Sequence, residues 1–460
     1  MHHPNMAAAI VFFELVFLSL ISPVRADQPA LPLEQRLDRL VLEAYPSETE
    51  PGAAVLVAVD GRPLLRKGYG MADLEKGVKV APDMIFRIAS ITKQFTAVCV
   101  LQQVQKGKVA LDDPITKYVP DFDARGKTIT VQNLLTHTSG LPNYTATSDY
   151  DKGMTRDLKP AEILEIVAGK PLEFEPGARF RYSNTNYVLL GMLIEKVSGR
   201  TYAENLGASI ANPLGLADTR YSRDDARTPR HARGYEQESS GRWVPMKPLS
   251  MTQPFAAGAL ESTVDDLAKW TQALTDGKAL DSKLLDGAWT PYKPTAGPSD
   301  YGYGWFIRTE SGERWIGHNG GINGFMSAAI WIPEKKVFVA ILSNAAGGAP
   351  PELLLRRLAL EAVGRPELER VAITLPAESL GRYVGVYALS PEMKFTISRN
   401  GDKLMAEAPN KSKVELFAEA EDKFFNPEAE VQFSFTVENG KATQMTLRRG
   451  GRDSIAKRVD

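Results

Sequence analysis

The sequence predicts an α/β domain followed by a small antiparallel β unit. Two observations carry this. Strand-like segments lie at both ends of the stretch 33–343, with helical and polar, Pro/Gly-rich segments between them. After a composition shift near 364–376, the pattern becomes short alternating segments separated by turns. One sheet built from both ends of the first stretch, with the helical region packed beside it, leaves a cleft at the junction. The expected boundaries are 1–26 for a leader, 27–370 for the first domain and 376–460 for the second. A length of 460 residues accommodates them, because domains run to about 100–200 residues.

The elements follow in order. Residues 7–21 (AAAIVFFELVFLSLI) form an apolar run, then Pro23, then Val24-Arg25-Ala26, a small-residue cleavage site. The run is shorter than the roughly 20 residues that span a bilayer, and Glu14 interrupts it. A signal peptide cleaved near Ala26 is therefore expected, with a periplasmic or secreted mature protein and no integral membrane segment in it. Leu37, Leu40, Val41 and Ala44 share one face of a helix over 33–45. A strand over 51–60, an Asp60-Gly61 turn and a strand near 63–68 come next. A helix over 90–106 is ended by Gly107, and shorter helices lie near 131–135, 160–168 and 186–197. Strands return at 325–332 and 337–342 across a Pro333-Glu334-Lys335-Lys336 turn. Beyond the composition shift, segments 381–389, 395–399, 403–408, 414–418, 422–425, 431–437 and 442–448 alternate, with turns at Asn400-Gly401 and Asn439-Gly440. They read as an antiparallel meander or small barrel.

Composition excludes several classes. Hydrophobic residues at 43% and charged residues at 24% match a globular chain and not a disordered one. A net charge of −1 gives no global attraction to nucleic acid or an anionic surface. Cys99 is the only cysteine, so no internal disulfide forms. The five histidines are His2, His3, His137, His231 and His318, and none makes an H-x-x-x-H pair. No metal and no cofactor are expected.

Three motifs can carry chemistry. Ser90-Ile91-Thr92-Lys93 places a hydroxyl and an amine one helical turn apart. An unprotonated amine there can take the proton of the hydroxyl. A serine opening a helix also meets outward-pointing N–H groups. Ser454-Ile455-Ala456-Lys457 has the same spacing in a strand-like tail, where i and i+3 face opposite ways. Tyr182-Ser183-Asn184 is the only Y-x-N. A phenol can relay a proton if a nearby cation lowers its pKa, and the amide can orient a lysine and donate to a carbonyl. A helix-capping turn is the alternative reading. His318-Asn319-Gly320-Gly321 precedes the closing strands. Its glycines admit close backbone approach, and His318 can donate to a substrate. A Gly-rich turn with a surface histidine is the alternative.

S-x-x-K, then Y-x-N, then H-x-G, in that order and spacing, resembles the penicillin-recognising serine hydrolases. The likeness is to the class C β-lactamase-like branch, which includes D-aminopeptidases, DD-carboxypeptidases and esterases. Phe86-Arg87-Ile88-Ala89-Ser90, the run Leu134-Leu135-Thr136-His137-Thr138-Ser139-Gly140-Leu141, Ala257-Gly258-Ala259-Leu260-Glu261-Ser262-Thr263 and Tyr301-Gly302-Tyr303-Gly304-Trp305 share it. It spans roughly 33–363, and 380–459 is similar to the lipocalin-like barrel appended to some members. The fold implied is a serine β-lactamase-like α/β (α+β) sandwich with a central antiparallel sheet and an all-helical subdomain, plus a C-terminal β-barrel.

The resemblance also implies roles. Ser90 is the acylated nucleophile. Lys93 and Tyr182 share its proton and pass it to the leaving group. Asn184 holds Lys93 and the substrate. The backbone N–H groups of Ser90 and Gly321 form the oxyanion hole, and Asn319 and Gly320 line the substrate. His318 stands where β-lactamases and DD-peptidases usually carry lysine. Mostly neutral at pH 7, it attracts a substrate carboxylate less, and it can join the proton relay. The expected function is an exported serine hydrolase acting on an amide or ester of a small molecule or peptide. A β-lactamase and a non-catalytic binder of cell-wall peptides or β-lactams are the alternatives. His137 reads as a structural turn residue and Cys99 as a buried core thiol. The long polar stretch 221–251 reads as a loop shaping the cleft. Nothing in the sequence indicates an oligomeric state.

Overall fold

The computed structural model describes residues 31–460 apart from 224–227, 311, 366–371, 391–392, 410–412, 427–430 and 450–451. The apolar run at 7–21 and the expected cleavage site at Ala26 lie outside the described residues.

Six antiparallel strands form the central sheet, in the order Phe306–Glu310, Glu313–Ile322, Phe325–Ile332, Val337–Ser343, Ala53–Val59 and Arg62–Tyr69. The two ends of the domain meet at its centre, in register from Ala53↔Ser343 to Val59↔Val337. Both faces of this pair are covered, so both strands read as continuous apolar runs. Ala54, Leu56, Ala340 and Leu342 face the helical region. Val55, Val57, Val339 and Ile341 face the helices Leu33–Ala44 and Pro351–Ala362. The outer hairpin turns at Asp60 and Gly61, both at positive φ (50° and 74°), the conformation that a two-residue turn with right-handed twist requires.

The helical region lies against the first face. The helix Thr92–Gln105 is buried nearly all round, with Asn184–Ser198 beside it. The helix expected over 90–106 starts later, because Ala89–Ile91 forms a tight 3₁₀ turn first. Among the described residues no helix is long and apolar enough to cross a membrane.

The C-terminal strands close into an eight-stranded barrel running from Gly385–Ala388 to Arg452–Arg458, whose first and last strands pair at Tyr387↔Arg458. The strand-like tail is thus the closing strand. Tyr383, Tyr387, Phe424, Phe433, Phe435 and Met445 fill the interior.

Candidate active site

Ser90 sits on the 3₁₀ turn that follows the short strand Phe86–Arg87. That strand pairs with Leu260–Ser262, and the Ile88 N–H donates to the Leu260 carbonyl. The Ser327 hydroxyl also donates to the Ile88 carbonyl (2.8 Å). Ala89 is held at φ 47°, a left-handed conformation that costs a non-glycine residue free energy. The sharp turn leaves Ser90 partly exposed between the buried Ala89 and Ile91.

Lys93, one turn on, is fully buried. Its Nζ lies 3.1 Å from Ser90 Oγ, 2.8 Å from Asn184 Oδ1 and 2.7 Å from the Ala257 carbonyl. These partners are neutral, and burial draws the amine well below the usual lysine range. The geometry then fixes the roles of its atoms. Amide and carbonyl oxygens only accept, so they take the two N–H groups of the neutral amine. The lone pair is left facing the Ser90 hydroxyl. Asn184 cannot be turned the other way. Thr145 donates to Asn143 Oδ1 (3.1 Å) and therefore accepts from Asn184 Nδ2 (3.0 Å).

The Tyr182 hydroxyl is buried, and the polar group it interacts with is the Ser90 side chain. Lys93 Nζ stands 4.8 Å over its ring, and the His137 ring packs 4.3 Å away. Burial raises the phenol above its ordinary range. This reverses the sequence expectation of a lowered pKa: Lys93 is itself neutralised by burial, so no full cation stabilises a phenolate. Tyr182 is a proton donor at neutral pH.

His318 is 4% exposed. Its Nδ1 faces the Asn319 carbonyl, which only accepts, so Nδ1 carries the proton. Nε2 accepts from the Tyr301 hydroxyl (3.0 Å). Burial, and then the proximity of Lys93, push its pKa down to about 3. Both nitrogens are occupied, which corrects the expectation that His318 donates to a substrate or joins the relay as a base. The motif is also strand, not turn: it lies within Glu313–Ile322.

That strand corrects Asn319 as well. Successive side chains face opposite ways, so with His318 inward, the Asn319 amide points outward and donates to Glu352 of the helix on the far face. Gly320 faces inward and is tightly constrained. A Cβ there would stand 2.6 Å from the Ile88 carbonyl oxygen, 2.6 Å from Ser327 Oγ and 2.9 Å from the Ser90 nitrogen. Gly320→Ala is therefore expected to lower activity by about tenfold or more and to reduce the unfolding midpoint, since overpacking costs about 1–3 kcal/mol. Unchanged rates and melting would show that the strand does not press on the nucleophile turn. Pairing with Phe306–Glu310 stops at Phe306↔Gly317. Among the described residues, the outer edge at 318–322, which includes Gly321, thus pairs with no strand on that side.

Sequence reasoning leaves out four contributors. The Ala257 carbonyl and Tyr301 lie in segments that carry the family resemblance but were given no role there. Asn143 and Thr145 are isolated polar residues with no signal. The second S-x-x-K drops out: Ser454 and Lys457 lie on a barrel strand, with Lys457 exposed. The 221–251 stretch is tied to the hairpin beside Gly321, because Asn323 Nδ2 donates to the Lys247 carbonyl (3.0 Å). A cavity of about 350 Å³ opens there, lined by Asp157, Arg233, Met246 and Leu249 among others.

Comparison with known proteins places the chain among relatives of the same fold. Residues 37–364 match the beta-lactamase family model, and 369–457 match a domain of unknown function, DUF3471. Penicillin-binding protein 4* of Bacillus subtilis (strain 168) is 27% identical over 428 residues, covering 88% of this chain and 94% of that protein. Protein flp of Staphylococcus aureus (strain N315) is 29% identical over 328 residues, covering 70% of this chain and 65% of its own length. The octameric penicillin-binding protein homologue from Pyrococcus abyssi superposes with a TM-score of 0.67 at 30% identity, covering 92% of this chain and 99% of that one. D-amino acid amidase from Ochrobactrum anthropi SV3, complexed with D-phenylalanine, superposes with a TM-score of 0.58 at 28% identity, covering 71% and 98%.

Proposed function

The chain belongs to the beta-lactamase family, and from that premise we propose that it is an exported enzyme hydrolysing an amide or ester through an acyl-Ser90 intermediate. D-amino-acid peptides, peptidoglycan-derived peptides and esters are its substrate classes, and the periplasm or the outside of the cell is its location. One observation carries the reading: Lys93 Nζ, fully buried among neutral partners, lies 3.1 Å from the Ser90 hydroxyl.

Ser90 Oγ attacks the substrate carbonyl carbon as its proton passes to Lys93 Nζ. The charge on the carbonyl oxygen is met by the backbone N–H groups of Ser90 and Gly321. The bond to nitrogen or oxygen then breaks. The leaving group takes the Tyr182 phenol proton, and Lys93 reprotonates the phenol. Water attacks the acyl-enzyme by the same relay in reverse. The neutral His318 offers no fixed cation to a carboxylate, which supports amides and esters over β-lactams as substrates. The amidase named above supports the same class.

A substrate panel tests the assignment. Turnover of D-amino-acid amides or esters is expected to exceed that of a chromogenic cephalosporin by at least about tenfold in kcat/KM. Preferential cephalosporin turnover would reverse it. Tyr182→Phe tests the relay. It should slow amide hydrolysis by about 10²-fold or more, yet slow an activated nitrophenyl ester far less, because that leaving group departs without a proton. Equal losses on both substrates would remove Tyr182 from the leaving-group step.

A further inference from the structure

We propose that His137 is the positioning residue for Tyr182, holding the phenol by the peptide groups on both sides of it. This rests on the reading of Tyr182 as the leaving-group donor.

The contacts are specific. The Arg181 N–H donates to the His137 carbonyl (2.9 Å), and the Ser183 N–H donates to His137 Nδ1 (3.2 Å). These residues bracket Tyr182 in the chain. The imidazole itself packs against the Tyr182 ring, with centroids 4.3 Å apart. A second donor fixes the tautomer. Asn186 Nδ2 lies 3.1 Å from Nδ1, and the Ser139 hydroxyl donates to Asn186 Oδ1 (2.6 Å), so the amide turns its N–H towards the ring. Nδ1 therefore holds a lone pair, and the hydrogen sits on Nε2.

Two features go beyond what a turn histidine needs. Nε2 is buried without a partner, which costs free energy in any protein. His137 also adopts φ 56°, the left-handed region, while fully buried. Strain and an unmet polar group at one residue behind the phenol are features that cluster at functional sites. Burial, with Lys93 and His318 nearby, keeps the ring neutral, as the clamp requires.

The test compares three variants on two substrates. His137→Phe keeps a ring but removes the acceptor, and His137→Ala removes both without a clash. His137→Asn tolerates the left-handed backbone and returns an acceptor near the Nδ1 position. The Phe and Ala variants should lose about tenfold or more in kcat on an amide, with KM within about threefold and little loss on an activated nitrophenyl ester. The Asn variant should recover most of the amide rate. Equal losses on both substrates in the Phe and Ala variants, or no recovery with Asn, would overturn the proposal. Tyr182→Phe serves as the reference. If it discriminates between the substrates and the His137 variants do not, the clamp fails and the relay stands. If Tyr182→Phe does not discriminate, the relay itself is wrong.

Discussion

Ser90→Ala abolishes turnover of every ester and amide substrate, with kcat expected to fall by about 10⁴-fold or more. The size follows from what is lost. Among the described residues, Ser90 is the hydroxyl within bonding distance of Lys93 Nζ, whose other partners are Asn184 Oδ1 and the Ala257 carbonyl. Without Oγ there is no acyl-enzyme, and only substrate binding and the oxyanion donors remain. KM should change little, since Ser90 lies on a turn fixed by backbone contacts from Leu260 and by the Ser327 hydroxyl, not by its own side chain. Initial-rate kinetics on wild type and variant measure this. A variant retaining a tenth of the wild-type rate would place the nucleophile elsewhere.

Lys93→Met has the second-largest effect, a fall of about 10³-fold or more in kcat, because the hydroxyl loses its base. It also alters the pH dependence of stability. Buried Lys93 is neutral in the folded protein down to well below the usual lysine range, whereas in the unfolded chain it is protonated up to that range. Between the two the unfolded state binds one more proton, so wild-type stability rises with pH across this window. The variant lacks that rise. The stability of wild type minus that of Lys93→Met should therefore increase from neutral to alkaline pH, whatever its sign at neutral pH. Urea midpoints of both proteins at several pH values measure it. Parallel pH curves would mean that Lys93 is protonated in the fold, and the lone-pair assignment would fall.

The sheet and the helical region were legible because their signals are local. Alternating and continuous apolar runs, an Asp60-Gly61 turn and a glycine at 107 mark elements without any tertiary knowledge. A small C-terminal barrel was also expected, but which strands close it was not legible, because pairing of Tyr387 with Arg458 joins segments about seventy residues apart. At the site, residue identities were readable and their environments were not. The sequence shows a lysine, a tyrosine and a histidine in family order. Only the packing shows all three to be desolvated together, which neutralises Lys93, keeps Tyr182 protonated and depresses His318. Asn319 failed for a simpler reason. Its position in a strand, with the side chain on the far face, follows from strand parity that a Gly-rich motif conceals.

The central claim is that Lys93 activates Ser90, and the most direct measurement is the intact mass of the protein after treatment with a fluorophosphonate. Wild type should gain one adduct, localised to Ser90 by peptide mapping, while Ser90→Ala and Lys93→Met gain none under the same conditions. An adduct on Lys93→Met at the wild-type rate would contradict the account, as would one on wild type at any other serine.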